Sequence, residues 1–546
     1  MSIASVPRFP TSGNRRHSGP SAPWPWVNTE DEVDNEQLRS EAHPIPELCS
    51  HVDCNDCWKG YPQSRFPNWT PFQVRRSQIL HAIDKVNQDI PYVIYHIDVD
   101  NRGYFMDSGK YEVTEQTKGD FWKLLIHHQR PMGTRVRALF VENMSGPVLQ
   151  MLGTKYNIEP FFFSSLLSWI PSRFQEEVQP GTGDHITITL RFFKTMGAVV
   201  ASDRSSTPST TPSTTSEDFL AREQVIDTQV PLVLRTGDRC TLVCDLLAIH
   251  LIRNVEGNTL ISYHANMSAG TETSTQYLHE RILFAGQSVY WQRILQRSSQ
   301  DPTFILLMFI WHAVYSWDEA FEALYTHICW LEGHVLDPHS VFLTNELHNL
   351  RAHHLHFTSS LEDLRKSVLF ILNTPNPAMD NLPQWEREFS RILLQKECQN
   401  LLSEVDRLEM NRRMQDERIK NYISLVFITA NIYDNKHAKK LTESAAKDSA
   451  VMKQIAFLTM VFLPFSFVAT IFGMNVGEFN PDSKGTLLNF FEIAVALTLL
   501  TIWVVMAFMT RHLFMFETTF WLRFLWPWML LKQAYRNRKR EGGPRV

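Results

Sequence analysis

Three hydrophobic rhythms succeed one another along the chain. Over about residues 75–290, apolar residues come in short β-branched and aromatic runs. These are Tyr92–Ile97, Val136–Val141, Ile186–Phe193, Thr241–Ile252 and Thr259–His264, and such runs read as strands. Between the second and third, Val148–Trp169 reads as helical. The mixture predicts an α+β or α/β soluble domain. From Pro302 the rhythm becomes helical, over Phe304–Leu336 and Leu343–Leu372, the helical part (301–373) of the same domain. Asn373–Pro383 holds three prolines and breaks the pattern. A stalk helix is predicted from Gln384 to residue 454. Leu394, Cys398, Leu401, Val405 and Leu408 alternate spacings of four and three, a heptad-like coiled-coil stripe. No proline interrupts Gln384–Leu463, and a helix continued to Asn475 is roughly 140 Å long at about 1.5 Å per residue.

The third rhythm is uniform apolarity. Ile455–Asn475 carries no charge and is long enough to span a hydrocarbon core of roughly 30 Å. Leu487–Met509 is a second predicted span, with one charge, Glu492. Lys439, Lys440, Lys447 and Lys453 precede the pair and Arg511 follows it, whereas the connecting loop 476–486 sets Glu478 and Asp482 against Lys484 alone. The positive-inside rule then places both termini in the cytosol and the loop outside. A further apolar stretch, Leu513–Leu531, contains Glu517, Arg523, Pro527 and three tryptophans. It reads as an interfacial helix, followed by a basic tail (532–546) that meets anionic membrane lipid.

Two helices cannot enclose a water-filled path, so ion conduction requires several copies around a shared axis. Met452, Ile455, Thr459, Ser466 and Thr470 fall on one face of the first span, with Leu463 on its flank. The hydroxyls on that face either contact hydrated ions or bond carbonyls of their own helix, and spacing leaves both open.

Composition refines this picture modestly. Across 546 residues the chain is 44% hydrophobic and 20% charged with a net charge of −5, which points to no nucleic-acid partner. Residues 1–47 are rich in Pro, Ser and charge and are expected to be a disordered tail. The Ser/Thr/Pro insertion 201–217 is expected to be disordered too. Arg8, Arg15 and Arg16 precede the first acid, Glu30, as in a mitochondrial presequence, but Pro7, Pro10, Pro20, Pro23 and Pro25 oppose the amphipathic helix it requires. Seven scattered cysteines argue against a disulfide framework. Cys49, Cys54 and Cys57, with His51 nearby, are candidate zinc ligands, against a plain linker reading. His250, His264, His279, His348, His353, His354 and His356 show no recurring ligand spacing and read as surface or helix-packing residues. No phosphate loop or nucleophile elbow is present, so no enzyme and no bound cofactor is expected.

The first span ends Phe472-Gly473-Met474-Asn475. That tripeptide, with Val451-Met452-Lys453, Leu458-Thr459, Phe462-Leu463-Pro464 and Ile471-Phe472 in order before it, resembles the CorA family of magnesium transporters. Asp448–Lys453 and Ile158-Glu159-Pro160-Phe161-Phe162 are similar to fungal CorA-like proteins. The likeness is densest over Tyr422–Met509 and extends faintly back to residue 75. It implies a funnel-shaped homopentamer: an α+β cytosolic domain, a long stalk helix and two transmembrane helices, with the first span lining the pore. It further implies that Asn475 forms the selectivity ring, Gly473 permits tight backbone there, Met474 packs the mouth, and Met452 with Ile455 forms an apolar inner constriction. The loop departs from the common Met-Pro-Glu-Leu, reading Asn480-Pro481-Asp482-Ser483, although Glu478 and Asp482 still attract cations. Where the family's regulatory stalk carboxylate is expected, this chain has Ala438. The expected function is divalent-cation transport with Mg²⁺ as the cargo. The alternatives are Zn²⁺ transport and a non-conducting scaffold or sensor. The expected location is the plasma membrane, with the mitochondrial inner membrane and the vacuole as alternatives.

Overall fold

The computed structural model describes residues 57–67, 69, 74, 77, 79–84, 92–127, 130–197, 228, 230–235, 240–264, 274–297, 301–333, 341–473, 487–513, 528 and 535. The tail 1–47, the insertion 201–217 and the loop 476–486 lie outside them, as do the predicted interfacial helix and basic tail apart from Trp528 and Tyr535. The chain divides into two compact units, Met1–Phe427 and Ile428–Val546.

The first unit is built on a mixed sheet of eight strands. They are β1 (Tyr92–Asp100), β2 (Phe105–Val113), β3 (Thr134–Glu142), β4 (Ser172–Gln179), β5 (Gly183–Gly197), β6 (Leu232–Leu234), β7 (Cys240–Asn254) and β8 (Asn258–His264). Their order is β2-β1-β3-β8-β7-β5-β4, with β6 pairing onto β7. Only β3 and β8 run parallel, and the other pairs are antiparallel. Each predicted strand run lies within one of these strands. The largely exposed β2 and the polar β4 carry too little alternation to be read from sequence.

Both faces of the sheet are covered. On one face, Val136, Ala138 and Phe140 of β3 join Leu247, Ile249 and Leu251 of β7 in a core with the long helices. These include α7 (Thr303–Gly333) and α8 (Val341–Asn373), after α5 (Ser274–Gly286) and α6 (Val289–Arg297). Phe304, Phe309, Phe321 and Phe357 are fully buried there, each contributing roughly 1.5–3 kcal/mol. Leu394, Cys398, Leu401, Val405 and Leu408, the heptad-like stripe, belong to this core. The stripe therefore packs against its own chain here.

On the opposite face, Leu139 and Val141 of β3 and Leu246 and Ala248 of β7 meet a second apolar cluster. It is supplied by α1 (Ile79–Asp84), α2 (Lys118–His127), α3 (Gly146–Tyr156) and α4 (Pro160–Leu167). The single helix expected over Val148–Trp169 is in fact this α3/α4 pair. Ser145 caps the start of α3, accepting from the Val148 N–H at 3.3 Å. Asn157 ends it in the left-handed region at φ 52°, and Pro160, which cannot donate within a helix, opens the next.

One ion pair is fully buried between sheet and helices. The Arg253 guanidinium on β7 donates from Nε to Asp184 Oδ1 on β5 at 2.6 Å and from Nη2 to Oδ2. Both side chains are completely inaccessible. Arg253 also donates to Thr303 Oγ1 at 3.2 Å, to the Thr374 carbonyl at 3.4 Å and to the Pro375 carbonyl at 3.0 Å. It thus ties the sheet to the start of α7 and the end of α8. Arg253→Leu leaves the Asp184 carboxylate buried and unpaired, so the unit is expected to lose about 3–5 kcal/mol in denaturant unfolding.

Buried imidazoles add a pH dependence. Burial pulls His264 and His354 down to about 4 and His312 to about 3. Neither ring nitrogen of His354 has a hydrogen-bond partner. An unfolded imidazole titrates near 6.5, so between those values the unfolded chain binds more protons than the folded one. The stability these neutral rings allow is complete above pH ~6.5 and is lost as pH falls toward 4. Thermal melts of the protein are expected to drop across that window, and His354→Leu, which cannot gain the charge, to drop less.

Candidate functional site

In the second unit the candidate site lies on the C-terminal part of α9 (Gln384–Gly473), followed by α10 (Leu487–Leu513). The sequence supports an unbroken helix here because it is free of glycine until its last residue, and Pro464 is tolerated within it. Of the most apolar stretch of α9, only 11% is buried. The comparison with α7 is instructive. That helix is also strongly apolar, yet Phe304 through Ile310 are all 3% exposed or less. Burial makes α7 a core helix, whereas α9 presents an apolar surface that water does not tolerate. Among the described residues, α9 alone is long and apolar enough to cross a membrane by length and composition, and the apolar part of α10, Phe490–Val505, is shorter.

Met452, Ile455, Thr459, Leu463, Ser466 and Thr470 share a sector about 80° wide at 3.6 residues per turn. All six are exposed, as is Gly473 at the helix end. Pro464 and Val468 are buried, and they lie on roughly the opposite side of the helix. On α10 the buried positions are Ala494 and Thr498, again four apart. The chain therefore covers one side of α9 and leaves the hydroxyl-bearing side open.

The hydroxyls resolve the alternative left open by spacing. Thr459 donates to the Ala456 carbonyl at 2.9 Å, Ser466 to Leu463 at 3.0 Å and Thr470 to Ser466 at 2.7 Å. Each donor is thus used within the helix, and the oxygen lone pairs remain as outward acceptors. Lys439, Lys440, Lys447 and Lys453 are exposed before the apolar stretch. Lys439 lies 4.0 Å from Glu443, an exposed pair of little energetic weight. Met474, Asn475, Glu478 and Asp482 lie outside the described residues. So do Cys49 and Cys54, while Cys57 opens a short 3-10 helix, Cys57–Gly60, and is half-buried.

A family model described as CorA-like Mg²⁺ transporter protein matches residues 246–511, from within β7 to the end of α10. Over that segment the chain is similar to the CorA-like family. A curated relative, Notoamide biosynthesis cluster protein M' of Aspergillus versicolor, is 25% identical over 168 residues. The match spans 28% of this chain and 35% of that relative's length. Among solved structures, the CorA magnesium transporter of Methanocaldococcus jannaschii is 14% identical, covering 75% of this chain and 95% of that one at a TM-score of 0.37. The full-length CmaX protein is 13% identical, covering 77% and 98% at a TM-score of 0.32. The likeness to the CorA-like family rests on residues 246–511.

Ala494 is fully buried on α10, one helical turn from buried Thr498. Ala494→Leu is expected to destabilise the second unit by about 1–3 kcal/mol, read as earlier unfolding in SDS titration of detergent-solubilised protein.

Proposed function

We propose that this chain is a divalent-cation channel or transporter, with Mg²⁺ as its favoured cargo. The observation that carries the reading is the CorA-like likeness of residues 246–511, whose apolar helix keeps its hydroxyl-bearing face uncovered. Several copies, five by family resemblance, surround a central pore with that face inward. α10 forms a second span outside it, both termini are cytosolic, and the plasma membrane is the favoured location.

The chemistry suits Mg²⁺. This ion dehydrates reluctantly and usually keeps several waters. A ring of Asn475 amides, with backbone carbonyls at Gly473 and Met474, holds a hydrated ion through neutral oxygen acceptors and releases it readily. Further in, Thr459, Ser466 and Thr470 offer hydroxyl oxygens as acceptors for water on the ion. Met452, Ile455 and Leu463 make apolar rings that gate by dewetting. Glu478 and Asp482 raise the local cation concentration at the mouth. Ala438 carries no charge at the stalk position where family resemblance expects a carboxylate, so gating by Mg²⁺ binding at that position is not part of this reading.

In proteoliposomes, the wild-type protein is expected to support Mg²⁺ flux, and Asn475→Ala to lower it at least about tenfold with unchanged oligomer size. Wild-type flux in the assembled variant would overturn the assignment of Asn475 to the selectivity ring. Absence of flux in the wild-type protein would overturn the transport reading.

A further inference from the structure

Three neighbouring strands of the soluble unit bring together residues far apart in sequence. Glu176 on β4 pairs with His185 on β5, and Thr187, two residues on, pairs with His250 on β7. Alternation along a strand puts His185 and Thr187 on one face, and their cross-strand partners share it. That face is packed by aromatic residues, with the Phe162 ring 5.2 Å from His250. His250 is fully buried and His185 is 8% exposed. The two imidazoles stand 5.2 Å apart at 89°.

One ligating atom from each of Glu176, His185 and His250 lies within 4.8 Å of the other two. Glu176 Oε1, His185 Nδ1 and His250 Nε2 are all buried without a hydrogen-bond partner. The contact between Glu176 Oε1 and His185 Nδ1, at 3.9 Å, is too long for a hydrogen bond. Each unpartnered buried group costs about 1–3 kcal/mol. Three such atoms around one point call for a ligand they can share.

The surroundings suit a cation. His250 Nδ1 is 2.9 Å from Thr187 Oγ1. With the ring N–H donated to that hydroxyl, the Nε2 lone pair faces the cluster. Burial pulls His185 down to about 4 and, with the neighbouring His185, holds His250 well below its ordinary value. Both rings are therefore neutral, the form that ligates metals. Glu159, before α4, shares a hydrogen bond with Glu176. Glu177 sits on the β4 bulge at φ 52°, 3.6 Å from His185 Nε2, with its side chain 34% exposed. These two carboxyl groups lie beside the cluster.

We propose that Glu176, His185 and His250 bind one divalent transition-metal ion of the Zn²⁺ class, clamping β4, β5 and β7, with Thr187 orienting His250. Two imidazoles and one carboxylate suit Zn²⁺ or Co²⁺, whereas Mg²⁺ demands oxygen ligands. Binding replaces any proton on Glu176 with the metal and releases that proton to solvent. The site lies wholly within the soluble unit and stands independently of the transport reading.

The test uses full-length protein in detergent, stripped with a chelator, with Cys49, Cys54 and Cys57 changed to serine to remove thiol ligands. Titration with Zn²⁺ is followed by elemental analysis and melting temperature, and titration with Co²⁺ by visible absorption. The expected result is one Zn²⁺ per chain from this site, raising the melting temperature. Co²⁺ gives a visible spectrum without a thiolate charge-transfer band, and equal Mg²⁺ displaces neither. Thr187→Val weakens Zn²⁺ binding by about 10–100-fold, and Glu176→Gln and His250→Gln weaken it more. If His250→Gln fails to fold, Glu176→Gln, at the more open edge, decides the matter. Equal Zn²⁺ binding by wild type and folded Glu176→Gln overturns the proposal, and so does displacement of the ion by equal Mg²⁺.

Discussion

The buried pair of Arg253 and Asp184 is the constraint around which the soluble unit is arranged. A guanidinium with no access to water needs nearly all of its donors satisfied, and here the partners come from one neighbouring strand and two helix ends. That requirement fixes where α7 begins and α8 ends relative to the sheet. Because α7 and α8 share a core with Leu394–Leu408, the same requirement sets where the first part of α9 packs. Hydrophobic burial supplies most of the stabilisation but is indifferent to small shifts of register. The bidentate contact, with its fixed fork geometry, is not.

Much of this was legible in the sequence wherever period and length agree. The strands β3, β5, β7 and β8 are buried on both faces and read as β-rich runs, and α9 was marked by its long proline-free run, Gln384–Leu463. What escaped was set by tertiary context or by single residues. Asn157 in the left-handed region and Pro160 divide a stretch whose apolar rhythm reads as one helix. The Leu394–Leu408 stripe has the same spacing whether it meets another copy or its own domain, and it meets its own domain. Arg253 and Asp184 are ordinary charges until folding brings them together.

The candidate site divides along the same line. The face carrying Met452, Thr459 and Ser466 follows from helical spacing alone, but spacing says nothing about where a hydroxyl donates. The hydroxyls of Thr459, Ser466 and Thr470 all donate to their own helix. This is consistent with an apolar environment, where an unused donor is costly. It also leaves a surface of acceptors and methyl groups with few donors to compete, the polarity that the proposed passage of a hydrated cation calls for.

Glu176, His185 and His250 escaped for a stronger reason. His185 and His250 are separated by sixty-five positions in sequence, with no ligand spacing to register, and become neighbours only through the pairing of β5 with β7. On the same face of β5, Thr187 and Thr189 are buried beside His185. A strand that spends three successive positions of one face on polar groups gives up apolar burial it would otherwise gain, and a partnered His250 Nδ1 beside an unpartnered Nε2 places the deficit at one point. Oxygen-only chemistry at the proposed pore helix and imidazole chemistry at the proposed sheet site would select different ions on ligand type alone. The two proposed sites would thus divide divalent cations between them without competing for the same ion.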